Sequence, residues 1–131
     1  MPRRIHATRS RRSGQGKSAD YRKAIGDVIY EAMLKHFDVP KNDRFQVITE
    51  HPADGFIYDP TYLNIQRTLD CVFIQITLNE GRALEMKRGF YKAVADGLHE
   101  RLKLRREDVL INLVEVKKEN WSFGNGEAPY A

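Results

Sequence analysis

The sequence predicts an α/β (α+β) fold in which two β-α-β units form a four-stranded, mostly parallel sheet with two helices on one face. Three observations lead to this prediction. Two amphipathic segments recur 65 residues apart, a nearly continuous apolar run precedes the second one, and a short strand-like segment follows each. A chain of 131 residues is long enough for one such domain with its own core.

The two helices are predicted from apolar residues at helical spacing. The first set is Ile25, Val28, Ile29, Ala32, Met33 and Phe37, and the second set is Phe90, Ala93, Val94, Gly97, Leu98 and Leu102. Every position of the second set is the first plus 65. Each pattern is typical of an amphipathic helix of about five turns that buries one face.

The strands are predicted from apolar runs around these helices. Cys71–Leu78 is apolar enough for a strand of a buried parallel pair, and Phe45–Thr49 matches Leu110–Val114 across the repeat. Segment 56–68 is predicted to form a short strand or hairpin that turns at Asp59-Pro60. We therefore expect one domain over 1–131, with an atypical basic stretch at 1–15, repeat units at 16–55 and 71–117, and a C-terminal loop at 118–131.

Composition narrows the class of protein. No apolar run reaches the roughly 20 residues of a membrane span, and no apolar signal-peptide core is present, so we expect a cytoplasmic protein with no membrane partner. A single cysteine, Cys71, excludes an intrachain disulfide and a cysteine-based metal site, and is expected in the core. The four histidines lack ligand spacing, so neither a metal nor a cofactor is expected.

The net charge of +4 comes from one end of the chain. Residues 1–17 carry six Lys or Arg and no acid, and the rest of the chain carries 16 basic against 18 acidic residues. The basic stretch is a candidate arm for nucleic acid, with affinity that would fall steeply with salt. No aromatic residue interleaves its arginines to stack on bases, so nucleic-acid binding is the least favoured function.

Several motifs resemble the tautomerase superfamily, in particular its malonate semialdehyde decarboxylase branch. They are a proline after the initiator Met, "VPKNDRFQVITEH" (39–51), "LNEGRALEMK" (78–87) and "NWSFGNGEAPY" (120–130). The resemblance implies a homotrimer whose sheets surround a central space. It also implies a small oxo-carboxylate as substrate and an N-terminal proline amine, here Pro2, as the catalytic group for keto–enol tautomerisation, decarboxylation or hydration.

The resemblance implies two further catalytic residues, Asp43 and Arg82. Asp43 matches an aspartate that handles a water or tunes the proline; alternatively it is a turn residue that starts a strand, as its repeat mate Asp108 also suggests. Arg82 matches an arginine that grips the substrate carboxylate; alternatively it is a surface residue in the first turn of a helix. Where the branch reads Arg-x-Arg, this chain has Glu80 before Arg82, and an acid there would repel a carboxylate.

Three aromatic residues complete the expected site. Trp121, Phe123 and Tyr130 match positions that wall the substrate pocket of the branch and keep it dry. By residue type alone, Trp121 and Phe123 are better explained as packing residues, and the resemblance brings the packing role and the pocket role to about equal weight. Catalytic function is therefore weighed against a silent trimeric scaffold with the same fold.

The N-terminus is where the repeat and the motifs disagree. The repeat places the counterpart of Cys71–Leu78 at residues 6–13, a segment with three arginines that is unsuited to a buried central strand. Three explanations stay open. The strand is formed by 3–8 with Ile5 inward and a longer basic loop after it, the reading frame has an altered start, or the catalytic strand has been lost.

Overall fold

A computed structural model of the chain describes residues 16–131 in full and the backbone of residues 4–11. Its long elements are β1 (Arg4–Arg11), α1 (Ala19–Phe37), β2 (Phe45–Pro52), β3 (Val72–Asn79), α2 (Leu84–Leu102) and β4 (Val109–Val116). Short 3-10 turns lie at Tyr62–Asn64, Arg106–Asp108 and Lys118–Asn120. Pro2, the first catalytic candidate, lies outside the described residues.

The four strands form one sheet in the order β2-β1-β3-β4. Strand β1 runs parallel to β2, and β3 runs parallel to β4, because a helix crosses over between the members of each pair. The two pairs meet at an antiparallel junction between β1 and β3. The predicted fold, two β-α-β units in a mostly parallel sheet, is confirmed.

Both helices pack on one face of this sheet. Alternate residues of β3 (Val72, Ile74, Ile76 and Leu78) are buried in one cluster with the apolar faces predicted for α1 and α2. The rings of Phe37 and Phe90 stack at 4.5 Å between centroids, which joins the end of α1 to the first half of α2. Neither of these helices, in the described part of the chain, is apolar enough to cross a membrane.

Of the three explanations for the N-terminus, the structure agrees with the first, since a strand overlaps 3–8 and a longer connection follows it. The expectation that a segment with three arginines could not form a central strand is wrong. Strand β1 is an interior strand, and it begins three residues earlier than the repeat register requires. Its connection to α1 has seven residues, whereas the connection from β3 to α2 has four. Since the helices cover only one face, an interior strand needs apolar residues at alternate positions only, and the register pairs Ile5 with buried Ile76 and Ala7 with buried Ile74.

The segment between β2 and β3 also differs from its prediction. Residues 53–71, all of them described, contain a single 3-10 turn at Tyr62–Asn64 and no strand. The turn at Asp59-Pro60 is present, with the Asp59 carboxylate accepting hydrogen bonds from the backbone N–H of Thr61 at 2.7 Å and from its hydroxyl at 3.0 Å. Such a local side-chain-to-backbone turn competes with strand pairing.

Candidate functional site

One edge of the sheet gathers most of the predicted site residues. Because β1 is antiparallel to β3, the strand termini where β1 and β2 begin lie at the same end of the sheet as those where β3 and β4 end. We call this end of the sheet the site edge. Its outermost described row pairs Arg4 with Phe45 on one side and with Thr77 on the other. The loop before β2, the turn after β3 and the C-terminal segment all leave the sheet here.

A shallow groove of about 420 Å³ lies at the site edge. It is lined by Pro40, Lys41, Asn42, Asp43, Phe45, Phe123, Pro129 and Tyr130. Three of the predicted site residues (Asp43, Phe123 and Tyr130) therefore share one cavity. The groove is formed by the loop before β2 on one side and by the C-terminal segment on the other, so residues far apart in sequence meet in it.

The loop that carries Asp43 is folded by its own hydrogen bonds. Helix α1 ends at Phe37, and Asp38 adopts the left-handed conformation that commonly closes a helix. The backbone N–H of Asn42 donates to the Tyr30 hydroxyl at 2.8 Å, and that of Asp43 donates to the carbonyl of Pro40 at 3.2 Å. Asp43 is thus a half-buried turn residue two positions before β2 that also lines the groove.

The aromatic residues of the C-terminal segment form a connected set of rings. Trp121 and Phe123 stack at 5.2 Å with nearly parallel planes, and Phe123 meets the edge of Tyr130 at 5.8 Å. Phe123 also contacts Phe45, the first residue of β2, at 6.1 Å. Gly124 and Gly126 have positive φ angles of 150° and 69°, a backbone conformation that lets the segment turn back between Phe123 and Tyr130.

Arg82 lies at the site edge but outside the groove lining. Its guanidinium donates to the carbonyls of Asn79 at 2.9 Å and Phe37 at 3.0 Å, and it stacks over the Phe37 ring at 5.1 Å. Burial lowers the pKa of this guanidinium. The alternative that Arg82 is a surface residue in the first turn of a helix is wrong, because it is half-buried and precedes α2, where it satisfies a carbonyl at the end of α1.

Sequence reasoning did not single out Asn79, which connects Trp121 to Arg82. Asn79 is the last residue of β3 and only 1% exposed, and its side-chain oxygen accepts a hydrogen bond from the indole N–H of Trp121 at 2.6 Å. Its backbone carbonyl accepts the bond from Arg82. A signal was present, since an amide directly after an apolar strand is unusual unless it has a polar partner.

Glu80 occupies the position where the resembled branch has an arginine. It is exposed, and its backbone N–H donates to the carbonyl of Val116 at 2.9 Å, which continues the pairing of β3 with β4 by one residue. Gly81 follows with a φ of 113°, so the chain turns sharply before Arg82. The acid therefore lies on the outer side of the turn.

Comparison with known proteins shows the family. A family model described as tautomerase enzyme matches residues 43–124, and a second model with the same description matches residues 12–65. The chain is 38% identical to the probable tautomerase YusQ of Bacillus subtilis (strain 168) over 113 residues, which are 86% of this chain and 89% of the relative.

Solved structures agree with this relationship. A malonate semialdehyde decarboxylase, described with decarboxylase and hydratase activities, superposes with a TM-score of 0.86 at 28% identity, over 96% of this chain and 94% of that one. The FG41 malonate semialdehyde decarboxylase inhibited by 3-bromopropiolate has a TM-score of 0.84 at 30% identity, over 99% and 94%. A fused 4-OT symmetric trimer shares the fold at 18% identity, with a TM-score of 0.74 over 99% and 98%.

Proposed function

Because this chain belongs to the tautomerase family, we propose that it is an enzyme that uses the amine of Pro2 to move a proton on a small oxo-carboxylate. Removal of the initiator Met would turn Pro2 into a secondary-amine N-terminus. The observation that carries the proposal is the composition of the site edge. A carboxylate (Asp43), a set of aromatic rings and an arginine lie around the start of β1.

Chain connectivity supports the placement of the amine at this edge. Arg4 pairs with Phe45, and the Phe45 ring contacts Phe123 in the groove. Pro2 precedes Arg4 by two residues, a span of at most about 7 Å in a fully extended chain. The amine would therefore start close to the groove.

The chemistry follows from the pKa of an N-terminal amine. An exposed α-amine titrates near 8, and apolar side chains beside it, as Phe123 and Tyr130 would be, would disfavour its cation and lower that pKa. A neutral amine can accept the proton of an enol hydroxyl or of the carbon next to a ketone and return it at the other position. Asp43 acts in the opposite direction, because a nearby carboxylate favours the cation.

Arg82 is proposed to bind the substrate carboxylate. Two of its N–H groups are used by the carbonyls of Asn79 and Phe37, which fix the plane of the guanidinium. A guanidinium has five N–H donors in all, so further donors remain for a carboxylate. Phe123 and Tyr130 would cover the rest of a small substrate and exclude water, with the Trp121 ring stacked behind Phe123.

A ketonisation assay with phenylpyruvate enol tests the tautomerase proposal. Pro2→Ala, which replaces the secondary amine by a primary one, is expected to lower kcat/KM by at least about 100-fold, the range of general acid–base catalysis. Asp43→Asn is expected to move the pH dependence of kcat/KM to lower pH, because the variant lacks the carboxylate that favours the amine cation. Asp54→Asn, which changes an exposed aspartate after β2, is the matched control and is expected to keep full activity. Turnover that is unchanged in Pro2→Ala would show that the secondary amine of Pro2 is not required for catalysis.

Decarboxylation or hydration of a small 3-oxo acid is a second candidate activity. Two solved relatives above 25% identity carry the decarboxylase name, and one of them is inhibited by 3-bromopropiolate. A cationic amine, which Asp43 would favour, polarises a carbonyl and so assists loss of CO2. Glu80 opposes this reading, because it places a negative charge beside the turn that carries Arg82.

Two measurements separate the enzyme from a silent scaffold. Release of CO2 from a 3-oxo acid would establish the decarboxylase activity, and an adduct of 3-bromopropiolate on the N-terminal peptide would locate a reactive amine at Pro2. A folded protein with no turnover in either assay and no adduct favours the catalytically silent trimeric scaffold.

We also propose that the chain assembles as a homotrimer. The sheet face opposite the helices carries Phe45, Val47, Leu110 and Val114, each more than a third exposed. A solved structure of the same fold is a trimer. Sedimentation should give about three times the 15.2 kDa chain mass, and Val47→Glu should yield monomers, whereas Glu100→Lys on the exposed face of α2 should not.

A further inference from the structure

We propose that Asn79 is a positioning residue, which holds the Trp121 indole in place at the groove and links it to the Arg82 turn. The proposal rests on the proposed function in that the groove is taken as the substrate site. Its first readout is nevertheless spectroscopic, so it can be judged whether or not the enzyme assay succeeds.

The position of Asn79 in the sheet supports this role. The last two residues of β3, Leu78 and Asn79, are both buried, and Asn79 pairs in register with Val116 of β4. An amide buried at such a site costs free energy unless its polar atoms are hydrogen-bonded. The 2.6 Å bond from the Trp121 indole N–H to the Asn79 side-chain oxygen meets this need and fixes the direction of the indole ring.

The indole in turn supports the rings that line the groove. Trp121 stacks on Phe123, and Phe123 contacts Phe45 and Tyr130, two other residues of the groove lining. Trp121 itself is not part of that lining. Loss of the bond to Asn79 would therefore displace the groove wall from behind, through Phe123, rather than remove a wall residue.

The backbone of Asn79 also contacts Arg82. Its carbonyl accepts a hydrogen bond from Arg82 at 2.9 Å, while the other terminal nitrogen of Arg82 donates to Phe37. One residue thus contacts both the proposed carboxylate-binding group and the aromatic wall. A change in the Asn79 side chain is expected to alter binding of substrate more than the proton-transfer step.

The experiment uses the fact that Trp121 is the single tryptophan of the chain. Tryptophan emission and acrylamide quenching therefore report on this residue alone. Asn79→Ala should shift the emission to the red and increase quenching, and Asn79→Asp, which keeps an acceptor oxygen in the same place, should restore most of the wild-type spectrum. In the enol assay Asn79→Ala should raise KM about tenfold with little change in kcat, as expected for one lost hydrogen bond.

Thr68→Ala is the matched control. It removes the hydrogen bond that the Thr68 hydroxyl donates to the buried Asp108 carboxylate at 2.7 Å, at the opposite end of the sheet. It is expected to destabilise the protein without changing the Trp121 spectrum. Should Asn79→Ala fail to fold, Asn79→Ser, whose shorter side chain cannot reach the indole, takes its place with the same expected shift.

The proposal is overturned if folded Asn79→Ala or Asn79→Ser shows wild-type emission and quenching, or if Asn79→Asp shifts the spectrum as much as they do. A fall in kcat with unchanged KM in the alanine variant would also contradict it. Absence of any enol turnover in the wild type would count against the proposed function, while the spectra would still decide the role of Asn79.

Discussion

Glu50 and Glu115 lie at opposite ends of the sheet, and each accepts one hydrogen bond from a backbone N–H and one from a basic side chain. Glu50 accepts from the backbone N–H of Lys17 at 3.2 Å and from Arg22 at 2.9 Å. Glu115 accepts from the backbone N–H of Gly81 at 3.3 Å and from Lys87 at 2.6 Å. In each unit a glutamate of the second strand therefore fastens the connection between the first strand and its helix.

This arrangement predicts a specific acid sensitivity. The hydrogen bond from Lys87 is the main cause that lowers the pKa of Glu115, with its charge and the Gly81 N–H adding to it. A carboxylate whose pKa is lower in the folded state stabilises the fold above its unfolded pKa of about 4.3 and loses that stabilisation as the pH falls through the folded pKa. Glu115→Gln should thus be less stable than wild type at pH 6 by about 1 kcal/mol.

Urea unfolding at pH 6 and at pH 3 checks this prediction. The difference between wild type and Glu115→Gln should be smaller at pH 3 than at pH 6, because protonation of Glu115 removes the charge that the glutamine variant lacks. Glu119→Gln, which changes an exposed glutamate beyond β4, should match wild type at both pH values. An equal loss at pH 6 and pH 3 would show that charge is not the cause.

The bonds of Arg82 predict a structural effect that is separate from any role in binding. Arg82→Ala removes the donors to the carbonyls of Phe37 and Asn79, and should lower the free energy of unfolding by about 1–3 kcal/mol. Arg82→Lys should lose part of this, since an ammonium lacks the planar fork that spans both carbonyls. Arg88→Ala, an exposed arginine paired with Glu85 on α2, should have almost no effect.

Urea unfolding of the three variants, followed by circular dichroism, measures these differences. Equal stabilities of Arg82→Ala and Arg88→Ala would show that the two carbonyl bonds contribute nothing. If Arg82→Lys remains folded yet loses turnover, the loss can be assigned to recognition of the substrate.

Two glycines of α2 should respond differently to alanine. A Cβ on Gly97 would lie 2.8 Å from a methyl group of Val28 in α1, whose branched side chain has little freedom in a helix. A Cβ on Gly89 would meet the longer His36 side chain at 3.0 Å. Replacing glycine by alanine stabilises the helix by about 1 kcal/mol at either site. A side chain that does not fit the available space costs about 1–3 kcal/mol.

Gly97→Ala is therefore expected to destabilise the protein by about 1 kcal/mol, and Gly89→Ala to be neutral or slightly stabilising. Thermal unfolding of both variants under the same conditions decides this. If the contact between the two helices is the cause, Gly97→Ala should cost less in a Val28→Ala background than in wild type. A stabilising Gly97→Ala would mean that the helices separate at little cost.

The repeat and its buried core can be predicted from the sequence, but the length of the connection between β1 and α1 cannot. The helical and apolar periods fixed α1, α2 and β3 because burial on one face sets those periods. The repeat register alone places β1 too late in the chain, because the connection before α1 is three residues longer than the one before α2. Three arginines would exclude a central strand only if every position of that strand were buried, whereas only alternate positions of a strand in this sheet face the helices.

At the candidate site, two residues that occupy corresponding positions in the two repeat units lie in different environments. Asp108 is buried and accepts hydrogen bonds from the backbone and hydroxyl of Thr68 at 2.6 and 2.7 Å, which makes it a structural residue. Asp43, 65 residues earlier, lines the groove. The sequence places both before a strand, and only the packing of the C-terminal segment against one edge distinguishes them.

The single cysteine offers a final prediction about the dynamics of the fold. Cys71 is buried beside the start of β3, and burial, with the charge of Asp108 as a second cause, raises the pKa of its thiol to about 11. The thiolate is the reactive form of cysteine, and with this pKa only about a thousandth of the native Cys71 is ionised at pH 8. Ellman's reagent at pH 8 should therefore label the native protein slowly, at a rate set by opening of the structure.

Labelling should accelerate as urea is added below the unfolding midpoint and become immediate in the unfolded chain. Glu100→Cys, which adds an exposed thiol on α2, should react at once with one equivalent while Cys71 remains slow. Because the unfolded thiol titrates near 8.5, the fold should also lose stability as the pH rises above that value, and Cys71→Ala should remove this loss. Rapid native labelling of Cys71 would mean that the end of the sheet around Asp108 opens far more easily than its buried hydrogen bonds imply.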